Sequence, residues 1–143
     1  MSIKSVLVVD DKEMMRDSVG STLTRAGFAV RTAVDARSAL KEIATKRPDV
    51  VLTDLNMPGM TGVDLAGEIR SLDDDLPVIL MTAFGTVETA VQAMKNGAYD
   101  YITKPFEGDE MIIAVKRAIS HASVLKENAI LKAHARSSKS PDG

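Results

Sequence analysis

Three aspartates in this chain stand where they could do chemistry together. Asp10 and Asp11 follow the apolar run Val6-Leu7-Val8-Val9, and Asp54 follows Val50-Val51-Leu52 after a single Thr53. Carboxylates brought within a few ångströms of one another repel and raise each other's pKa unless a cation sits among them. The chain has no cysteine and no histidine near these positions, so oxygen is the available donor. Oxygen ligands favour a hard divalent ion, and Mg²⁺ in particular, because it keeps several waters and needs few carboxylates beside a phosphate oxygen. Two further groups follow later runs: Thr82-Ala83 after Val78-Ile79-Leu80-Met81, and Lys104-Pro105 after Tyr99 to Thr103. A hydroxyl and an ammonium opposite an acidic pocket exceed what a metal needs, but they suit a transferred phosphoryl group whose oxygens must be neutralised. Taken singly, each residue has an ordinary reading: Asp11 as a cap for a helix starting near Lys12, Thr82 as a cap of the next helix, Lys104 as a solvated ion pair. The repeated placement after apolar runs is what those readings leave unexplained.

Residues so spaced need a scaffold that delivers strand ends to one edge. The runs at Val6, Val50 and Val78 carry no charge, which suits strands buried on both faces. Between them the period turns helical, with Met15/Val19/Leu23/Ala26, Leu40/Ile43/Ala44, Leu65/Ala66/Ile69 and Val87/Val91/Met94 each predicting one apolar stripe. Weaker strands are expected from Phe28 to Thr32, after Gly27, and from Tyr99 to Thr103, after Asn96-Gly97. This alternation predicts an α/β chain, a doubly wound (βα)5 three-layer sandwich around a parallel sheet, with ligands held outside the carboxyl ends of the strands. The last helix is expected to start near Gly108 and to extend past residue 130. With His121 at heptad position a, Val124 falls at d, Asn128 at a, Leu131 at d and Ala135 at a. That narrow seam predicts a parallel, dimerising coiled-coil linker. The expected plan is one domain over residues 1–122, a helical linker over 123–136 and a disordered Ser/Pro/Gly-rich tail over 137–143.

Composition narrows the partners. The chain is 45% apolar and 27% charged, which is globular, and its net charge of −2 argues against a general affinity for polyanions. Beyond Glu107 the balance is only weakly basic, so no direct nucleic-acid binding is expected. Apolar runs are far shorter than the ~20 residues a bilayer-spanning helix needs, and no signal segment opens the chain. A cytoplasmic protein without membrane attachment is expected. None of the 9 glycines builds a Walker-type loop, so ATPase activity is not expected of these residues.

Four ordered motifs now carry a resemblance: Val8-Val9-Asp10-Asp11, the stretch from Thr53-Asp54-Leu55-Asn56-Met57-Pro58 to Gly62, Met81-Thr82-Ala83, and Asp100-Tyr101-Ile102-Thr103-Lys104-Pro105-Phe106. Over about Ile3 to Ala122 the chain resembles the receiver domain of two-component response regulators. The resemblance implies a flavodoxin-like sheet in the order 2-1-3-4-5. It implies that Asp54 accepts a phosphoryl group from the phosphohistidine of a sensor histidine kinase. Asp11, Asp54 and the backbone carbonyl of Asn56 would hold Mg²⁺, with Asp10 in support. Lys104 would pair with the acyl phosphate and Thr82 would move to hydrogen-bond it. Tyr101 matches an aromatic switch that turns inward when Thr82 moves, and Lys104-Pro105 matches a cis peptide, which X-Pro bonds tolerate. Such a chain is a signalling phosphoacceptor that supports its own phosphotransfer and autodephosphorylation rather than an enzyme with a separate substrate. Its response is expected at the face of the fourth helix, fifth strand and fifth helix, where it would pair with a second copy. Lys12 departs from the pattern, since an acidic residue commonly follows the aspartate pair.

The stretch from Thr82 to Val91, continuing from Lys95 to Tyr101, is similar to the nitrogen-regulator subfamily, whose members join a receiver to an AAA+ ATPase and a DNA-binding domain and activate transcription. Neither domain lies within these residues, so the chain is expected to be a fragment of such an activator or a stand-alone receiver. Two other chemistries fit the same sheet less well. A Mg²⁺-dependent phosphatase using Asp54 on a diffusible substrate would need a cap insertion and a second acid where Asn56 stands. A flavin or nucleotide binder would need a glycine in the loop Asp10-Asp11-Lys12-Glu13, whose acids repel phosphate.

Overall fold

The computed structural model describes residues 3–55, 57, 59–82, 87–104 and 108–122. The charge-free runs become β1 (Ser5–Val9), β3 (Val50–Asp54) and β4 (Val78–Thr82), all but the first residue of β1 being buried. β2 (Ala29–Ala33) and β5 (Asp100–Thr103) each begin one residue later than expected and are only partly buried. They are the two edges of the sheet, where one side of each strand faces solvent or a helix flank, and this is why their apolar signal is weaker. All pairings are parallel and the order is β2-β1-β3-β4-β5, the flavodoxin-like arrangement.

Among the described residues four helices cross between the strands, α1 (Glu13–Arg25), α2 (Ala36–Thr45), α3 (Gly62–Leu72) and α4 (Val87–Lys95), and α5 over residues 108–122 follows β5. Alternate residues of each central strand point to opposite faces. Val6, Val8, Val50, Leu52, Ile79 and Met81 pack with α1 and α5 through Val19, Leu23, Met111 and Val115. Leu7, Val9, Val51 and Leu80 pack with α2, α3 and α4 through Ala36, Leu65, Ile69 and Ala93. Two helices on one side and three on the other make the three layers.

Two helical stripes are displaced from their expected positions. On α2 the buried residues are Ala36 and Ala39, with Leu40 and Ile43 at the margin and Ala44 exposed. On α4 it is Ala93 that is buried, at 2% exposure, whereas Val91 and Met94 are 45% and 44% exposed. The cause is common to both. Alanine lets a helix backbone come close to the sheet, and the larger side chains beside that stripe then splay to the flank or into solvent. The expected seam from Val124 to Ala135 and the tail over 137–143 lie outside the described residues. His121 is within them, its ring 5.1 Å from that of Tyr99.

The segment leading from Asp54 into α3 is closed by a reciprocal cap. The Asp64 amide donates to Thr61 Oγ1 at 3.2 Å, and the Thr61 amide donates to Asp64 Oδ2 at 3.3 Å. Thr61→Ala leaves helix amides without that acceptor and should cost about 1 kcal/mol, read as a lower midpoint in urea unfolding. An unchanged midpoint would show that the box contributes nothing.

Candidate functional site

The parallel register brings the acids together. Val9 stands opposite Thr53 across β1 and β3, so the next residues, Asp10 and Asp54, emerge side by side at the carboxyl edge. Asp10 is tied to the sheet by its amide, which donates to Ala33 O at 3.2 Å. The chain then turns into α1, whose N-cap is Lys12 in an extended conformation with no side-chain cap. Asp11 therefore does not cap the helix, and the ordinary reading of that residue fails. Instead the Lys12 amide donates to Asp10 Oδ1 at 2.9 Å.

One carboxylate oxygen from each of Asp10, Asp11 and Asp54 lies within 4.8 Å of the others. Asp10 is fully buried and Asp54 is 4% exposed, while Asp11 opens to solvent. Lys104 reaches over from β5, its Nζ 3.2 Å from Asp54 Oδ1 and 3.7 Å from Asp10 Oδ2. Burial above all pushes the Asp10 carboxyl up from the usual carboxylate range. The Lys12 amide opposes that rise, the Asp54 charge adds to it, and Lys104 offsets a part.

Asp10 Oδ2 is buried with no hydrogen-bond partner. Three clustered carboxylates, two of them beside one ammonium and one buried oxygen left over, form a donor set suited to a hard divalent cation. Among the described residues no other group of acids or histidines is close enough to hold a metal.

Lys104 and Thr82 are placed by the last pair of strands. Thr82 is opposite Thr103, and the Lys104 amide donates to Thr82 O at 2.6 Å, which fixes the ends of β4 and β5 to each other. Thr82 is 3% exposed. Tyr101 stands opposite Leu80, two residues before Thr82, so Tyr101 and Thr82 share the sheet face that carries α4. Tyr101 is 38% exposed. Asn56 and the Lys104-Pro105 peptide, which the resemblance also singled out, lie outside the described residues.

Two residues at this edge make contacts that the sequence does not announce. Gly62, the first residue of α3, packs so closely on the end of β3 that a Cβ there would stand 2.3 Å from Asp54 O and 3.0 Å from Leu55 Cα. Its amide donates to Leu55 O at 2.9 Å. Gly62 closes the second of the four motifs in the sequence, but nothing there tells that it faces backbone. Arg16, on the first turns of α1, folds back so that its guanidinium donates to Asp10 O at 2.8 Å. No local pattern announces that contact, because it depends on how α1 leans on β1.

A five-stranded parallel sheet in this order, with two acids after β1, one at the end of β3 and a lysine after β5, defines a receiver-type signalling fold. The chain matches the response regulator receiver domain over residues 6–116 and belongs to that family. The regulatory protein AtoC of Escherichia coli (strain K12) is 43% identical over 126 residues, 88% of this chain and 27% of that protein. The C4-dicarboxylate transport transcriptional regulatory protein DctD of Rhizobium meliloti (strain 1021) is 39% identical over 128 residues, 90% of this chain and 28% of that protein. Relatives of this kind, with the regulator NtrC of Escherichia coli at 43% identity, are those of a nitrogen-regulator-like subfamily. The chain spans about a quarter of the length of the curated relatives it matches. Among solved structures, NtrX from Brucella abortus superposes with a TM-score of 0.86 at 38% identity, covering 91% of this chain and 30% of that one. The chemotaxis protein CheY4 of Vibrio cholerae gives 0.79 at 32% identity, covering 82% of this chain and 99% of that one. No helix among the described residues is long and apolar enough to cross a membrane.

Proposed function

We propose that Asp54 is the phosphoacceptor of this receiver and takes its phosphoryl group from the phosphohistidine of a sensor histidine kinase. The observation that carries the reading is the near-buried Asp54 carboxylate, 3.2 Å from Lys104 and within 4.8 Å of the oxygens of Asp10 and Asp11. An Asp54 oxygen bonds to phosphorus as the phosphorus–nitrogen bond breaks, and the imidazole leaves with the electron pair. Asp11, Asp54 and the Asn56 carbonyl would hold Mg²⁺, and Asp10 would support them. When bound, the ion supplies positive charge against the phosphoryl oxygens. Lys104 gives up its contact with Asp54 Oδ1 for a phosphoryl oxygen, and the Thr82 hydroxyl donates to another. Water returns the group to inorganic phosphate, which the same residues assist as autodephosphorylation.

The switch reads out through Thr82 and Tyr101. As Thr82 is drawn toward the phosphoryl group, space opens on the α4 face and the exposed Tyr101 ring turns inward. The face of α4, β5 and α5 changes with it. We place the homodimer there and along the helical linker over 123–136, with residues 1–122 as the receiver and 137–143 as a tail. Phosphorylation then controls a transcription-activating output made by AAA+ ATPase and DNA-binding domains, and the protein works in the cytoplasm.

Incubation with a small phosphodonor should add the mass of one phosphate in Mg²⁺ and none in excess chelator, read by intact mass spectrometry. The acids must be partly neutralised before an anionic donor can approach them. Equal phosphorylation with and without free Mg²⁺ would overturn the metal assignment.

A further inference from the structure

Arg16 is a cation beside an acidic cluster that pairs with none of its members. Among the described residues it takes part in no ion pair. Its guanidinium instead donates to the backbone oxygen of Asp10 at 2.8 Å, six residues back along the chain. That oxygen belongs to the peptide joining Asp10 to Asp11. The same turn is held at two more points: the Asp10 amide on Ala33 O, and the Lys12 amide on Asp10 Oδ1 at 2.9 Å. Asp11 itself is exposed and α1 has no side-chain cap, so the Asp10–Asp11 peptide plane rests on these contacts. Arg16 is the only charged donor among them, and such bonds are roughly twice as strong as neutral ones.

We propose that Arg16 is a positioning residue: it fixes the Asp10–Asp11 peptide so that the Asp11 carboxylate is aimed at Asp54 before any cation arrives, while leaving all three carboxylates free for that cation. The inference rests on the acidic triad being a Mg²⁺ site, as argued under the proposed function. The geometry gives it a distinctive sign. Removing a positive charge near an acidic cluster should tighten Mg²⁺ binding if charge alone matters. Loss of a group that orients a ligand should weaken it, by about tenfold on the scale of outer-shell partners of metal ligands. A residue that only staples α1 to β1 would change stability and leave Mg²⁺ affinity where it was.

The experiment is Mg²⁺ titration by calorimetry, with amide hydrogen exchange on the metal-free protein, for the wild type, Arg16→Ala, Arg16→Lys, Arg25→Ala and Asp11→Asn. Arg25 is the charge control, since it lies farther along α1 in the same groove of about 730 Å³ between α1 and β2. Arg16→Ala should bind Mg²⁺ about tenfold more weakly than wild type, with faster exchange at Lys12 and unchanged exchange in the interior of α1. Arg16→Lys should recover part of the loss, and Arg25→Ala should match wild type. Affinity that is unchanged or tighter in Arg16→Ala, while Asp11→Asn is weakened, overturns the role of Arg16 and leaves the metal site standing. Affinity unchanged in Asp11→Asn overturns the metal reading itself, and this inference with it.

Discussion

Asp54→Asn should end phosphorylation outright, with no added mass from a small phosphodonor in Mg²⁺, and it should do so without unfolding the protein. Asparagine keeps the shape of the side chain but offers a neutral amide oxygen, which is a poor nucleophile toward phosphorus. The substitution also removes one of three mutually repelling charges. Lys104 loses its ion pair with Asp54 at 3.2 Å but keeps the one with Asp10 at 3.7 Å, so the two effects on stability oppose each other. Lys104→Ala should behave differently. Without the ammonium the cluster is more negative, so Mg²⁺ binding is retained or tightened, and phosphate is still accepted. What is lost is the phosphate's cationic partner, and with it the conversion of phosphorylation into a changed α4, β5 and α5 face. Chemical shifts around Thr82 and Tyr101, recorded with and without a beryllofluoride mimic, read that conversion. A full phosphate adduct on Asp54→Asn would refute the assignment of the acceptor. Loss of Mg²⁺ binding in Lys104→Ala as deep as in Asp11→Asn would refute the division of labour between ligand and partner.

The second large effect concerns a residue with no side chain. By helix propensity alone, Gly62→Ala should stabilise α3 by up to about 1 kcal/mol. Sterics oppose that gain. The new Cβ would stand 2.3 Å from Asp54 O and 3.0 Å from Leu55 Cα, both backbone atoms that no rotamer change can move aside. Forcing a methyl into such a contact costs on the order of 3 kcal/mol, so the steric term wins. With a urea slope of about 2 kcal/mol/M, the unfolding midpoint should fall by about 1 M or more. Because the atom displaced is the carbonyl of Asp54 itself, phosphorylation by a small donor should slow as well. Gly67→Ala is the control on the same helix. Its Cβ would meet only Asn96 O at an ordinary 3.7 Å, so propensity should prevail and the midpoint should rise. If both variants shift the midpoint upward, the close approach of α3 to β3 has no energetic consequence.

Much of this protein is legible in its sequence. Val6–Val9, Val50–Leu52 and Val78–Met81 are continuous apolar runs because the strands they form are covered on both faces, and that burial writes itself directly into composition. The acids, the threonine and the lysine were legible for a related reason: in a doubly wound sheet the residue after a buried run comes out at the ligand edge, so sequence position translates into spatial position. The edges of the sheet were read less sharply, since β2 and β5 are covered on fewer sides. Helical period showed that α2 and α4 are amphipathic but not which of two neighbouring stripes meets the sheet. Ala36, Ala39 and Ala93 face inward because a small side chain allows close approach, while Val91 and Met94 remain half-exposed. Gly62 and Arg16 could be seen only in three dimensions. Each acts on the backbone of a site residue from another element, across the gap between a helix and the end of a strand. Such a contact depends on the angle and depth at which the whole helix packs, a property of the assembled core rather than of any local run of residues.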